Sequence, residues 1–164
     1  MELTSLKDLY VHELRDLFNA ESQLVKALPK VAKKAHSDQL RRAIEKHLEE
    51  TKHQKERLQK IFDRLGIKAG GETCEAMQGL IEESEEILKA KGDDDVRDAG
   101  IIAACQRVEH YEISGYGSAR TFARTLGFEE DVKILEQSLE EEKSADKELN
   151  RIAMETINRR AAAE

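Results

Sequence analysis

The sequence contains few of the residues that interrupt helices or build strands. Its 164 residues include one proline and no tryptophan, and aromatic residues make up 4% of the chain. No segment alternates β-branched or aromatic residues with polar ones, as a half-buried strand does. Hydrophobic residues amount to 39% and charged residues to 37%. This composition predicts an all-α bundle with charged outer faces, and the length suggests one domain with a sizeable core.

An excess of positive charge and long apolar runs are also missing. The net charge is −7, so we expect no binding to nucleic acid or to an anionic membrane. No segment has the ~20 apolar residues needed to span a bilayer, and the first residues, MELTSLKD, do not resemble a signal peptide. These features favour a cytoplasmic protein. In that reducing compartment, a disulfide between Cys74 and Cys105 is not expected.

Hydrophobic periodicity predicts four long helices and one short helix within a single domain, residues 1–164. The helices cover about residues 4–35, 39–65, 74–90, 95–126 and 129–160. Thr4 or Ser5 is the expected N-cap of the first helix, and Gly66 is suited to end the second. Pro29 should kink or locally break the last two turns of the first helix. The long connection containing the short helix can cross the bundle between two antiparallel hairpins.

Each long helix carries acidic residues in the middle of the stripe that should face the core. Glu109 and Glu112 share one face of the fourth helix, because residues three apart are neighbours on a helix. Glu21 occupies the middle of the first helix, and Glu142 and Asp146 occupy the middle of the last. The stripe of the second helix is polar at its centre. It can be drawn through Glu50 or Thr51, and Glu50 and His53 form a Glu-x-x-His pair.

Counting residues from the turns places these acids at matched heights. Glu21 and Glu50 lie 15 and 14 residues from the first turn, near residue 36. Glu112 and Glu142 each lie 15 residues from the last turn, near residue 127. At 1.5 Å per residue, both distances are roughly 22 Å. The acidic positions therefore converge at mid-bundle if the two hairpins pack side by side.

Several carboxylates cannot share an apolar core as anions unless something neutralises them. In ferritin-like di-metal proteins, glutamates from two helices and Glu-x-x-His pairs from the other two project into the bundle core. Glu50 and His53 match that pattern, whereas Glu142 is followed by Ala145 and then Asp146. Oxygen ligands with an imidazole suit iron or manganese better than metals that prefer thiolates.

Other interpretations stay open for each residue taken alone. Glu21 is then better explained as a partnered side chain, and the spacing of Glu50 and His53 is common in charge-rich helices. His47 fits either a core histidine or a donor to a metal ligand. Tyr116 fits either a core aromatic or a donor to a carboxylate. The coincidence of acids at matched heights on four helices favours a site that binds metal or shares protons.

Four segments resemble a known family: HLEETKHQKERL, CEAMQGLIEE, VRDAGIIAACQRVEHYEISGYG and EEEKSAD. They are similar to the YciE/YciF-like (DUF892) bacterial stress proteins of the ferritin-like superfamily, and the resemblance covers nearly the whole chain. It implies a ferritin-like antiparallel four-helix bundle with a short extra helix in the crossover between the second and third long helices. It also implies a homodimer and a dinuclear metal site similar to that of rubrerythrin.

The resemblance implies a set of ligands, to which the Glu-x-x-His spacing adds His53. The candidate metal ligands are Glu21, Glu50, His53, Glu109, Glu112, Glu142 and Asp146. We expect iron, or alternatively manganese, with oxygen or peroxide as the reactant, and iron oxidation or peroxide removal under stress. The alternative is a non-enzymatic, stress-induced dimer whose acidic core lacks catalytic competence.

Overall fold

The computed structural model describes residues 3–163 of the chain, and they are almost entirely helical. Five helices follow in order: α1 (Leu6–Lys34), α2 (Asp38–Leu65), α3 (Glu75–Lys89), α4 (Asp94–Thr125) and α5 (Glu129–Ile152). A π-helical segment, Ala153–Ile157, and a short helix, α6 (Asn158–Ala161), complete the described part. The predicted all-α class and the five predicted helices are confirmed, with bounds shifted by one or two residues at most of their ends. Among residues 3–163, no helix is both long and apolar enough to cross a membrane.

The four long helices form a bundle of two antiparallel hairpins. The hairpins α1–α2 and α4–α5 make the most extensive pairings, and contacts of α1 with α4 and of α2 with α5 close the square. Helix α3 lies outside this square and packs on α4 and α1. In the chain, α3 connects the first hairpin to the second, as the crossover pattern predicted.

Polar side chains fix where the helices begin and end. The Ser5 hydroxyl accepts a hydrogen bond from the backbone amide of Asp8 at 3.1 Å, which identifies Ser5 as the N-cap of α1. Gly66 ends α2 in the left-handed conformation, with φ of 67°, which glycine adopts without steric cost. At the turn between α1 and α2, the buried Asp98 of α4 accepts the amides of His36 and Ser37 at 2.9 and 2.7 Å. This contact fixes the turn to the second hairpin.

Two parts of the sequence behave differently from the prediction. Helix α1 continues through Pro29 without the expected break. The proline removes one backbone donor, and its side chain is exposed at the surface, so its ring meets water rather than the packed core. The last predicted helix changes to π geometry at Ala153 and resumes as α6. Nothing in the structure explains the π segment.

The apolar core is divided into two parts along the bundle axis. One part includes Tyr10, Leu14 and Leu17 of α1, and the other includes Leu24 and Leu28 of the same helix. Polar and acidic side chains fill the level between them, and they are buried as deeply as the apolar ones. This arrangement places the candidate functional site in the middle of the bundle, with apolar packing above and below.

Candidate metal centre

Helix α4 contributes two carboxyl groups to the central level. Glu109 is 1% exposed and Glu112 is fully buried, because both lie on the face that α4 turns toward the interior. Gly115, three residues on, lets α1 approach closely: a Cβ atom there would lie 2.8 Å from a methyl group of Leu17. The bundle is therefore tight beside the two glutamates, and their shared face is confirmed.

Helices α1 and α5 each place one fully buried glutamate at the same level, Glu21 and Glu142. The Tyr116 hydroxyl of α4 donates a short hydrogen bond to Oε1 of Glu21. The buried Gln54 amide of α2 donates to Oε1 of Glu142 at 2.5 Å. Each glutamate thus has one oxygen held by a neutral donor and a second oxygen left for another partner.

Helix α2 brings the only imidazole of the cluster. Nε2 of the buried His47 lies 3.4 Å from Oε1 of Glu109 and 3.9 Å from Oε2 of Glu112. His47, Glu109, Glu112 and Glu142 can each offer one ligand atom such that all four atoms lie within 4.8 Å of one another. A single ion could be reached by all four side chains.

A second layer of polar contacts orients Glu142 from the outside. Besides Glu142, the Gln54 amide also donates to Oε2 of Glu141, at 3.1 Å. Arg57 binds both oxygens of Glu141 with two hydrogen bonds of 2.7 Å. This two-point contact has the planar geometry that fixes an arginine–carboxylate pair. The pair anchors Gln54, and Gln54 in turn fixes the position of Glu142.

The electrostatics of the cluster favour protonation of its acids when no cation is present. Burial raises the pKa values of Glu21, Glu109 and Glu112 well above the usual range of glutamic acid, and the charge of Glu142 raises them further. Burial and the charge of Glu21 also raise the pKa of Tyr116, so its hydroxyl keeps the proton that it donates. Carboxyl groups whose oxygens lie within 4.8 Å of one another cannot all ionise without a compensating positive charge.

Unpartnered polar atoms provide a test of whether a metal fits. Among the described residues, no hydrogen-bond partner is found for several buried atoms of the cluster: Oε2 of Glu21, both ring nitrogens of His47, Oε2 of Glu109, both carboxyl oxygens of Glu112 and Oε2 of Glu142. Buried polar atoms are normally paired, and each unpaired one costs about 1–3 kcal/mol. Carboxylate oxygens and imidazole nitrogens are ligands for divalent iron and manganese. The residues present therefore fit a metal.

The seven candidate ligands are not all placed in the cluster. The cluster contains Glu21, Glu109, Glu112 and Glu142. Asp146 is half-buried and lies beside α4, where Gln106 and His110 contact its carboxylate at 3.1 and 3.2 Å.

Glu50 and His53 of α2 differ most from the expected positions. Glu50 lies at the rim of the cluster and pairs with Lys46 at 2.9 Å. His53 is placed on the outer surface, where its side chain is 63% exposed and lies 3.5 Å from Glu56. With 3.6 residues per turn, position 50 lies about 60° and position 53 about 120° away from the direction of His47. The expected Glu-x-x-His pair therefore does not point into the core together.

His47 and Gln54 are the two cluster residues that the ligand set omitted. Both belong to the stripe of α2 positions that the sequence places toward the core, and His47 was open to interpretation as a core histidine or as a donor. The sequence feature that indicates His47 as a ligand is that no other histidine lies on the inward stripe of a long helix. Thr51, between them, is fully buried and bonds to the His47 carbonyl at 2.9 Å.

Comparison with known proteins agrees with the fold and with the resemblance. The family described as "Domain of unknown function (DUF892)" matches residues 5–162. The chain is 40% identical to the protein YciF of Escherichia coli (strain K12) over 162 residues, which cover 98% of each sequence. The crystal structure of the E. coli stress protein YciF matches with a TM-score of 0.91, covering 95% of this chain and 99% of that one.

Two further solved structures show how widely the fold extends. YcfI from Rhodopseudomonas palustris is 43% identical and has a TM-score of 0.88, covering 91% of this chain and 95% of its own. A protein from Xanthomonas campestris pv. campestris is 23% identical with a TM-score of 0.70, covering 90% of each chain, and it shares the fold. With a family match over residues 5–162 and a relative 40% identical across 98% of the chain, the protein belongs to the DUF892 family.

Proposed function

We propose that the protein is a stress-associated metalloprotein that holds a dinuclear centre of iron, or alternatively manganese, in the core of the bundle. The observation that carries this proposal is the buried cluster of acids and one imidazole whose inward-facing atoms have no partner among the described residues. The association with stress is carried over from the relative described as a stress protein.

Charge balance supports two ions rather than one. The ligand set that we propose consists of Glu21, His47, Glu109, Glu112 and Glu142. Its four carboxylates carry four negative charges when ionised, and two divalent cations neutralise them. A single divalent cation would balance two of these charges, and the other two carboxyl groups would have to keep their protons because an uncompensated buried charge costs several kcal/mol. We propose that Asp146 adds a further oxygen at the rim, and that Glu50 joins after its ion pair with Lys46 opens.

When bound, iron or manganese supplies redox chemistry toward dioxygen or peroxide, with oxidation of the divalent ion. The residues of the chain prepare the site for it. Tyr116 holds a proton next to Glu21, and Gln54 keeps Glu142 oriented without adding charge. Leu17 and Leu24, on either side of Glu21 along α1, exclude water from the ends of the cluster. Low solvent access strengthens each electrostatic interaction in the site.

A second candidate function is a bundle that works without metal. It is favoured by the raised pKa values of Glu21, Glu109 and Glu112, which allow the acids to remain neutral in the metal-free fold. Such a protein would be a stress-induced structural or interaction partner with a proton-sharing core. Measured metal content separates the two functions directly.

The experiment loads chelator-treated protein with Fe²⁺ under argon, removes free metal and measures iron per chain. We expect about two ions per chain, as in ferritin-like dinuclear proteins. In air, the bound Fe²⁺ should be oxidised faster than the same concentration of Fe²⁺ in buffer without protein. A variant carrying Glu112→Gln and Glu142→Gln should lose most of the metal. The control Glu140→Gln changes an exposed glutamate of α5 that pairs with Lys143, and it should bind like the wild type. Fewer than about half an ion per chain in the wild type would overturn the proposal.

The association state follows from the resemblance and the location from the composition, and both stay predictions. We propose a homodimer in the cytoplasm. Light scattering coupled to gel filtration should give twice the chain mass of 18.6 kDa, both with and without metal. A monomer at micromolar concentration would contradict the homodimer.

A further inference from the structure

A path leads from the surface to the cluster between α2 and α5. An open groove lies on the surface between these two helices, and a smaller pocket lies behind it. Ala43, Lys46 and Glu148 line both cavities, so the groove and the pocket adjoin each other at these side chains. The inner wall of the pocket includes His47 and Glu109 of the cluster.

The inner end of this path points to a ligand. His47 is 6% exposed and Glu109 is 1% exposed. Among the described residues, neither ring nitrogen of His47 has a hydrogen-bond partner, nor does Oε2 of Glu109. Buried, unpartnered ligand atoms that line a pocket open to the surface are accessible to an incoming cation in a way that enclosed core atoms are not.

The outer end of the path carries two carboxylates, each with a basic partner. Nζ of Lys46 lies 2.9 Å from Oε1 of Glu50, and the side chain of Lys46 is 66% exposed. Glu148, across the pocket on α5, accepts hydrogen bonds from Arg151 on both carboxylate oxygens, at 2.7 and 2.9 Å. A basic side chain therefore holds each carboxylate: Lys46 pairs with Glu50, and Arg151 pairs with Glu148. An ion pair this exposed is weak and opens readily.

A second pocket, between α1, α3 and α4, also reaches Glu109, but its lining differs in kind. Apart from Glu109, Ser84 and the Cys105 thiol, it is aliphatic. Burial raises the pKa of that thiol to about 12, so it stays uncharged. A divalent cation would lose its hydration there without gaining ligands, which is prohibitively costly. The path between α2 and α5 is the one whose side chains can replace water around a cation.

We propose that Glu50 and Glu148 form a transit site for a divalent metal cation on its way to the core cluster, and that Lys46 closes this site until the cation displaces it. The proposal rests on the proposed metal-binding function and adds the route and its control. Lys46 carries one positive charge at the position that the cation must pass. Its removal should therefore speed uptake, whereas removal of the Glu148 charge should slow it.

The experiment uses the full chain, freed of metal, and Co²⁺ alone as the probe. Uptake is followed by the visible absorption of cobalt bound to oxygen and nitrogen ligands, and the end point by elemental analysis. We expect Lys46→Met to raise the initial rate roughly thirtyfold, the effect of one unit charge on a divalent cation ~4 Å away in water. Glu148→Gln should lower the rate by a similar factor. Neither variant should change the amount of cobalt bound at the end point.

The exposed pair Lys143 and Glu140 of α5, 2.7 Å apart, provides matched controls. Lys143→Met and Glu140→Gln make the same changes of charge outside both cavities, and their uptake rates should equal that of the wild type. Equal rates in all variants, with normal cobalt at the end point, would overturn the transit site and leave the core site standing. Loss of end-point cobalt in Glu148→Gln would also overturn it, because Glu148 would then be a ligand. No cobalt in the wild type would overturn both proposals.

Discussion

Replacing Glu112 by leucine should make the metal-free protein more stable and abolish its response to metal. Glu112 is fully buried, and neither of its carboxyl oxygens has a hydrogen-bond partner among the described residues. An unsatisfied buried polar group costs about 1–3 kcal/mol, and a leucine side chain of similar size gains burial of apolar surface. The variant should therefore be roughly 2–4 kcal/mol more stable than the wild type in the presence of a chelator.

The same substitution should have the opposite consequence when metal is added. A ligand that binds only the folded state stabilises it by about 2.7 kcal/mol at a concentration one hundred times its dissociation constant. For a chain of this size, 1 kcal/mol moves the melting temperature by about 2–4 °C. Mn²⁺ should then raise the melting temperature of the wild type by roughly 5–10 °C, and that of Glu112→Leu by little or nothing.

Thermal melts followed by circular dichroism, with chelator and with Mn²⁺, measure both effects on one sample. Asp131→Leu provides the contrast, because Asp131 is equally buried but has partners: the Tyr10 hydroxyl at 3.0 Å and Arg64. That variant should lose stability with and without metal, since removal of the Asp131 carboxylate leaves Tyr10 and Arg64 without their acceptor. The reasoning is refuted if Glu112→Leu melts below the wild type in chelator, or if it keeps the full response to Mn²⁺.

Three further predictions concern pH, the α1–α2 turn and thiol reactivity. Because the folded-state pKa values of Glu21, Glu109 and Glu112 are raised, the metal-free fold retains protons that the unfolded chain releases above about pH 4.5. Their contribution to stability is fully present below that pH, so stability measured by urea unfolding should fall as pH rises from 5 to 8, by about 1.4 kcal/mol per unit for each retained proton. A flat profile over this range would contradict the prediction. Asp98→Ala should cost about 2–3 kcal/mol by the same assay, because two backbone amides lose a charged acceptor, while the response to Mn²⁺ persists. Cys105, with a pKa of about 12, should react with a thiol reagent at pH 8 roughly a thousandfold more slowly than an ordinary cysteine. Equal reaction rates of Cys105 in the folded and the urea-unfolded protein would contradict this prediction.

The bundle and the part of the site on α1, α4 and α5 could be predicted from sequence because the inward stripes of these helices are apolar on both sides of their acids. In α4, Ile102 and Cys105 precede Glu109, and Ala119 follows Tyr116, so the register of the helix is fixed and an inward acid is conspicuous. Matched distances from the turns then placed Glu21, Glu112 and Glu142 at one level. These predictions depend only on helix geometry and on short turns, both of which the structure confirms.

Helix α2 could not be resolved in the same way. Between His47 and Gln54 the one apolar residue is Leu48, which lies beside the stripe and not on it, so apolar spacing does not determine which residue of the pair Glu50 and Thr51 faces inward. The difference is 100° of rotation, enough to move a carboxylate from the core to the rim. Packing against α1 and α5 selects Thr51, which is fully buried, and leaves Glu50 half-buried. The choice depends on tertiary contacts that no single helix encodes.

The inward direction of Thr51, in place of Glu50, changes the chemistry expected of the site. With Thr51 and Gln54 inward, α2 supplies one imidazole and one amide donor in place of a carboxylate and an imidazole three residues apart. An amide N–H cannot coordinate a cation, and its hydrogen bond reserves Oε1 of Glu142, so the negative charge available to metal comes from α1, α4 and α5. The side of α2 is consequently the less negative wall of the cluster. It is also the side on which Lys46 and Glu50 line the pocket that reaches His47 and Glu109. In the proposed route, the helix that contributes least charge to the centre therefore carries the residue that closes the way to it.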